Sequence, residues 1–265
     1  MSLSSVRGNC RLIARLDVKG ANLIKGIHFE GIRVIGCPEE HARRYYEAGA
    51  DELIYMDTVA SLYGRNNLMD VVASTVEHVF VPLCVGGGLR SESDVQQVLR
   101  AGADKVAINS AATQNPELIT AIANRFGAQC MVLNIEAKKV GGDRWEAFCD
   151  NGREPTGRDV VSWAEQGVAL GAGEILLTSI DRDGTGKGLD LRLIRAISDR
   201  VNVPVIASGG VGSCQDIVEG FEAGCEAIAI GYGLHFKKFT FQDARDAALG
   251  ASMPVRHFAH KVEYV

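Results

Sequence analysis

The chain has 265 residues, of which 46% are hydrophobic and 23% charged, a composition typical of a globular protein with a full core. Its formal net charge of −5 argues against nucleic acid as the main partner, because a phosphate backbone requires a basic surface. No apolar run reaches membrane-spanning length, and the first residues lack the apolar stretch of a signal peptide, so we expect a cytoplasmic protein without a membrane segment.

Eight short apolar runs alternate with amphipathic segments along the chain. In order, the runs are residues 11–17, 51–57, 80–85, 104–109, 130–136, 173–179, 203–208 and 226–231. Because these runs are rich in Val, Ile and Leu and do not alternate in polarity, they predict parallel strands that are buried on both faces. The intervening segments PEEHARRYYEAG, SDVQQVLRAG and NPELITAIANRFG predict helices that end at glycine.

The second half of the chain repeats the first half at a fixed offset. AGADELI begins at residue 48 and LGAGEIL at 170, VPLCVGGG at 81 and VPVIASGG at 203, AGADKVAIN at 101 and AGCEAIAIG at 223. The offset is 122 residues each time, which favours two sets of four strands related by a pseudo-twofold axis. We therefore predict one α/β domain over residues 1–265, a (β/α)₈ TIM barrel with duplicated half-barrels at about 8–128 and 129–250.

Turns rich in glycine or other small residues follow four of the predicted strands. They are Gly87-Gly88 after the third strand, Asn109-Ser110 after the fourth, Ser208-Gly209-Gly210 after the seventh and Gly231-Tyr232 after the eighth. Active sites of such barrels lie at these strand ends, and glycine lets backbone N–H groups approach an anion closely. The two pairs of turns are symmetry mates, so we predict two phosphate sites on opposite rims and a substrate phosphorylated at both ends.

Two carboxylates are expected to face each other across the barrel, Asp17 at the end of the first strand and Glu136 at the end of the fifth. An opposed carboxylate pair suits general acid–base chemistry on a substrate held between two anion sites. The alternative is that each carboxylate only hydrogen-bonds the loop after it. Asp57 and the loop Asp183-Gly184-Thr185, after the sixth strand, are further candidates for polar contacts, with turn hydrogen bonding as the alternative.

The seven cysteines are scattered and are never spaced as CxxC. Several lie within apolar strand-like runs, which indicates buried, reduced thiols in a cytoplasmic protein. No ligand cluster supports a zinc site, and we expect neither a metal nor a cofactor.

Several of these segments together resemble one enzyme family. They are RLDVKGANLIKG, ADELIYMD, VGGGLRS, GADKVAINSAA, GAGEILLTSIDRDGTGKG and VIASGGVGS, spread over roughly residues 8 to 240. The set resembles the cyclase subunit of imidazole glycerol phosphate synthase, from histidine biosynthesis. The resemblance implies that a biphosphorylated aminoimidazole carboxamide ribonucleotide reacts with ammonia to give imidazole glycerol phosphate and aminoimidazole carboxamide ribotide. It also implies a heterodimer with a glutaminase, whose ammonia enters at the N-terminal barrel face and travels through the barrel.

The resemblance assigns roles to individual residues. It makes Asp17 an essential acid/base, gives Glu136 the position of its partner, and places Lys25 in a mobile loop that closes on the substrate. It further implies a ring of charges that guards the ammonia entrance, made of Arg11, Glu52, Lys105 and Glu174. Without the resemblance, these four charges near the strand N-termini would be expected only to stabilise the N-terminal end of the barrel.

Some positions depart from the family pattern. Glu136 stands where the family usually has Asp, Tyr232 where it usually has Ser, and Arg15 where it usually has Cys. The tail HFAHKVEYV also differs from the usual family ending. The longer Glu136 moves its carboxylate by about 1 Å, and Tyr232 is expected to narrow the second phosphate pocket. These changes leave open a paralogue that supplies ammonia for amidination of a nucleotide sugar of surface polysaccharide.

Two further alternatives are a non-catalytic barrel that conducts ammonia and a related phosphoribosyl isomerase, which uses no ammonia. The lysine in the first loop and the four gate charges argue against the isomerase.

Overall fold

The computed structural model of the chain describes residues 9–58 and 68–258. In chain order the strands are β1 (Arg11–Lys19), β2 (Asn22–Ile27), β3 (Glu30–Gly36), β4 (Glu52–Asp57), β5 (Leu83–Gly86), β6 (Lys105–Ile108), β7 (Met131–Gly141), β8 (Arg144–Cys149), β9 (Glu154–Asp159), β10 (Glu174–Ser179), β11 (Val205–Ser208) and β12 (Ala227–Ile230). The helices are α1 (Pro38–Glu47), α2 (Leu68–Val76), α3 (Glu92–Arg100), α4 (Ser110–Gln114), α5 (Glu117–Phe126), α6 (Val160–Ala169), α7 (Leu191–Ser198), α8 (Cys214–Glu222), α9 (Tyr232–His235) and α10 (Phe241–Gly250), with a 3₁₀ turn at Ala128–Cys130.

Eight strands form a closed parallel barrel in the order β1-β4-β5-β6-β7-β10-β11-β12, and β12 pairs back with β1. These eight strands correspond to the eight apolar runs of the sequence, and helices flank them on the outside. The predicted (β/α)₈ barrel is confirmed. Its two ends are called here the mouth, at the C-terminal ends of the strands, and the N-terminal face.

The matched segments of the repeat form matched elements. β4 and β10, β5 and β11, and β6 and β12 have equal lengths and begin 122 residues apart. Helices α3 and α8 also begin 122 residues apart, and each starts with a capping box, Ser91 with Asp94 and Ser213 with Asp216. The half-barrel boundaries near residue 128 stay a prediction, and residues 1–8 and 259–265 of the predicted domain, with most of the divergent tail, lie outside the described residues.

Two antiparallel hairpins over the mouth were not predicted. β2 and β3 follow β1, and β8 and β9 follow β7. Phe29, between β2 and β3, packs with Phe148 of β8 and with Ile180 after β10. The segment with Lys25, expected to be a loop, is therefore strand β2, because it pairs with both β1 and β3.

The space inside the barrel is filled by an apolar group, called here the interior cluster. Its members are Ile13, Ile54, Met56, Cys84, Ala107, Val132, Leu176, Ile206, Ala227 and Ala229. A larger apolar layer lies between the strands and the helices. All seven cysteines are free thiols. No described helix has the length and apolarity needed to cross a membrane.

Candidate active site

Asp17, on β1 at the mouth, is held between two cations. Its Oδ1 accepts a hydrogen bond from Arg15 Nε at 2.9 Å, and its Oδ2 accepts one from Lys25 Nζ at 3.1 Å. All three side chains are buried. Burial disfavours the charge of Asp17, but the two cations outweigh burial and hold the pKa of this carboxyl well below its usual range. Asp17 is therefore an anion at neutral pH and can act as a base.

Glu136, on β7 at the mouth, has a different environment. Its Oε2 accepts a hydrogen bond from the backbone N–H of Gly152 at 2.7 Å, in the turn after β8. Burial raises the pKa of Glu136 to about 7, and the Gly152 N–H and the charge of Arg15 oppose that rise only in part. Glu136 can therefore hold a proton near neutrality while Asp17 does not. Two carboxylates with well-separated pKa values are the usual arrangement for an acid and a base in one site.

Arg15 links three strands across the barrel. Its Nε binds Asp17, and its Nη1 donates to Thr178 Oγ1 of β10 at 2.8 Å and to Ser208 Oγ of β11 at 3.1 Å. Its guanidinium carbon lies 5.9 Å from the ring centroid of Phe29. Sequence reasoning noted Arg15 only as a departure from the family. The signal available for a site role was a charged residue within the apolar run RLIARLD.

Lys25 binds a second carboxylate. Its Nζ lies 3.0 Å from both oxygens of Asp183, in the loop after β10. The backbone N–H of His28 donates to the Asp183 carbonyl oxygen at 2.9 Å. Gly184, with φ of 71°, lies so close to Gly26 that a Cβ at Gly184 would collide with the Gly26 carbonyl oxygen. These contacts dock the β2–β3 hairpin on the loop after β10.

The first pair of predicted phosphate turns borders a cavity of about 260 Å³, called here the first cavity. Gly87, Gly88, Asn109 and Ser110 line it, together with Asp57, Asn134 and Glu136. A Cβ at Gly87, which has φ of 96°, would collide with the Asp57 carbonyl oxygen, so only glycine fits this turn. The structure thus brings the first pair of predicted phosphate turns and Glu136 to one cavity.

The second pair of turns borders a much smaller space of about 10 Å³, called here the second cavity. Its lining includes the predicted Lys25, Asp183, Gly184, Ser208, Gly209, Gly210, Gly231 and Tyr232, and also Arg15. A Cβ at Gly186 would meet the Tyr232 ring, so the ring closely approaches the loop after β10. Thr185 lines neither of these two cavities; its hydroxyl donates to the Arg182 carbonyl oxygen at 2.7 Å within its own turn.

Four charged side chains close a ring at the N-terminal face, called here the charge ring. Arg11 contacts Glu52 and Glu174 at 2.6 Å each. Lys105 contacts Glu52 at 3.1 Å and Glu174 at 2.7 Å. The four side chains come from the first residues of β1, β4, β6 and β10. Each member therefore has two oppositely charged neighbours, and the interior cluster lies between this ring and the mouth.

No group of three or more His, Cys, Asp or Glu side chains within residues 9–58 and 68–258 could hold a metal ion. The described side chains and turns offer carboxylates for proton transfer, backbone turns for anion binding, and the cations Arg15 and Lys25 for charge stabilisation.

Comparisons with known proteins point to one group. The profile of the family described as histidine biosynthesis protein matches residues 11–240. An imidazole glycerol phosphate synthase subunit HisF of Legionella pneumophila is 64% identical over 208 residues, which is 78% of this chain and 98% of that protein. The subunit of the same name from Myxococcus xanthus is 54% identical over 85% of this chain and 89% of its own length. The one from Gluconacetobacter diazotrophicus is 47% identical over 95% of this chain and 98% of its own length.

Proposed function

Because this chain belongs to the histidine biosynthesis protein family, we propose that it is the cyclase subunit of an imidazole glycerol phosphate synthase. It is then a lyase that takes a biphosphorylated aminoimidazole carboxamide ribonucleotide and ammonia. The products are imidazole glycerol phosphate and aminoimidazole carboxamide ribotide. The three relatives all carry the synthase name, which favours this reaction over amidination of a nucleotide sugar, over a phosphoribosyl isomerase and over a non-catalytic scaffold.

The observation that carries the proposal is the difference between the two carboxylates at the mouth. Attack by ammonia produces a positively charged nitrogen that must lose a proton, and the departing nitrogen must gain one. Asp17, kept ionised by Arg15 and Lys25, is suited to accept the first proton. Glu136, with a pKa raised to about 7, is suited to donate the second. The pair can thus supply both proton transfers.

The substrate lies across the mouth with one phosphate at each pair of turns. The first cavity receives one phosphate on the backbone of Gly88 and the N-terminal end of the segment at Ser110. The second phosphate binds near Gly210, where Lys25 now contacts Asp183. Lys25 then exchanges the Asp183 carboxylate for the phosphate, so substrate binding requires the β2–β3 hairpin to adjust.

Ammonia comes from a glutaminase subunit that forms a heterodimer on the N-terminal face. The charge ring surrounds the entrance, and the interior cluster behind it favours a neutral molecule over an ion. Free thiols throughout the described chain are in keeping with a cytoplasmic location. We attribute the half-barrels at about 8–128 and 129–250 to duplication, which the 122-residue offset supports.

The test is turnover of the nucleotide with ammonium salt at pH 7, where a large share of Glu136 still holds its proton. We expect the wild type to form both products, and Asp17→Asn to lose about 100-fold or more in kcat, because an amide cannot accept the proton. Asp70→Asn, on the exposed side of α2, is the matched control and should keep full activity. A wild type without turnover would overturn the cyclase assignment, and an unaffected Asp17→Asn variant would overturn only the role of Asp17.

A further inference from the structure

Asn134 is a buried amide at the boundary between the interior cluster and the first cavity. It lies on β7 between Val132 and Glu136, and alternate residues of a strand face the same side. Val132 belongs to the interior cluster, and Glu136 lines the first cavity, as Asn134 itself does. On β10 the register partner of Asn134 is Leu176, also in the interior cluster. Asn134 thus places one polar group where the apolar interior ends and the candidate active site begins.

The side-chain oxygen of this amide has no partner. Asn134 is 3% exposed, and its Oδ1 is buried without a hydrogen bond to any described residue. A buried acceptor without a donor costs free energy, so the position favours a small donor molecule. Arg15, the cation on the same interior surface, donates instead to Asp17, Thr178 and Ser208.

The surroundings define the chemistry of the missing donor. The adjoining apolar side chains disfavour an ion of either sign. The nearby cations Arg15 and Lys25 are already paired with the carboxylates of Asp17 and Asp183. A small neutral molecule with N–H donors meets these requirements. Ammonia that donates one N–H to a carbonyl oxygen keeps its lone pair free for attack, which a bond to a donor would prevent.

We propose that Asn134 Oδ1 is a binding site for ammonia at the end of its path through the barrel. The proposal rests on the function proposed above, since only an ammonia-using barrel delivers this ligand. Two residues along a strand span about 7 Å. Ammonia bound at Asn134 therefore lies about that far from Glu136 along β7, on the side of the N-terminal face. Asn134 then holds the nucleophile until the nucleotide is bound, and the site accounts for a buried amide at the edge of the interior cluster.

The first test uses Asn134→Leu, which keeps nearly the same shape without the acceptor. Ile135→Val is the matched control, because it changes the next residue of β7, whose side chain packs toward the helices. We expect the KM for free ammonia to rise about three- to tenfold in Asn134→Leu, which is the loss of one hydrogen bond. The KM for the nucleotide should stay within twofold, and Ile135→Val should change neither constant. An unchanged KM for ammonia, or a change confined to the nucleotide, overturns the proposal.

The second test needs no turnover and therefore separates this proposal from the cyclase assignment. Crystals are soaked in methylamine at pH 10.5, because the methyl group distinguishes the amine from water in the density. We expect density for the amine within hydrogen-bond distance of Asn134 Oδ1 in the wild type and none in Asn134→Leu. Density that is identical with and without methylamine would assign the position to water and overturn the proposal, even in an active enzyme.

Discussion

Replacing Glu136 by Gln should stabilise the folded protein at alkaline pH while it impairs catalysis. Gln keeps the size of the side chain and still offers an oxygen to the Gly152 N–H, but it cannot ionise. The carboxyl of Glu136 is buried, and burial raises its pKa from the ordinary 4.5 to about 7. Its ionisation therefore costs more free energy in the folded protein than in the unfolded chain.

The size and pH range of the effect follow from the two pKa values. Below pH 4.5 the carboxyl is protonated in both states, so it contributes nothing to the pH dependence of folding. Above pH 7 it is ionised in both states, and the folded state is then less stable by about 3 kcal/mol. This cost develops as the pH rises from 4.5 to 7. Glu136→Gln should thus raise the free energy of unfolding by about 3 kcal/mol at pH 8, and by less than about 1 kcal/mol at pH 5.

The assay is urea unfolding at pH 5 and pH 8, followed by the fluorescence of Trp145 and Trp163, the two tryptophans of the chain. Glu146→Gln, on β8 with a partly exposed side chain that accepts a hydrogen bond from the Gly157 N–H, is the control and should show no comparable difference between the two pH values. The same Glu136→Gln preparation should lose turnover with ammonium salt. A stability gain of equal size at both pH values would refute the argument, because it would not arise from the ionisation of Glu136.

Two further predictions concern the ends of the barrel. Lys105→Ala removes two contacts of the charge ring. In the complex with the glutaminase it should raise the ratio of glutamate released to product formed severalfold, and it should spare activity with ammonium salt. An unchanged ratio would contradict the role of the ring. Phosphate soaked into crystals should bind near Gly88 and near Gly210, and Tyr232→Ser should increase its occupancy at the second position by widening the second cavity. Density at neither rim would refute the two-phosphate arrangement.

The barrel could be predicted because its strands are buried on both faces and therefore appear as continuous apolar runs. The same property concealed the direction of individual side chains. Polar and apolar residues do not alternate in the run that contains Asn134. The sequence therefore does not show that Asn134 faces the barrel interior while Ile135 faces the helices. The importance of Arg15 was hidden in the same way, since two of its three hydrogen-bond partners, Thr178 and Ser208, come from β10 and β11, more than 160 residues away.

The hairpins could not be predicted because their order depends on tertiary contacts. The segment NLIKGI has a charged residue and a glycine at its centre, and its burial comes from docking over the mouth. Lys25 is buried only because Asp17 and Asp183 lie on either side of it. Spacing along the chain could place the glycine-rich turns after the strands, where they border the two cavities. The closure of the second cavity by Lys25 and Tyr232 follows from side-chain positions that no local pattern encodes.

The connectivity of the charge ring determines how costly it is to open. In an isolated ion pair, separating the partners leaves two charges with no counterion at all. In the cycle of Arg11, Glu52, Lys105 and Glu174, breaking any single contact leaves an open chain in which every charge still has one partner. Opening the ring for a short time therefore costs the free energy of one ion contact. It does not leave two charges without any counterion. A cyclic arrangement can therefore be closed most of the time and still open by the loss of any one of its four contacts.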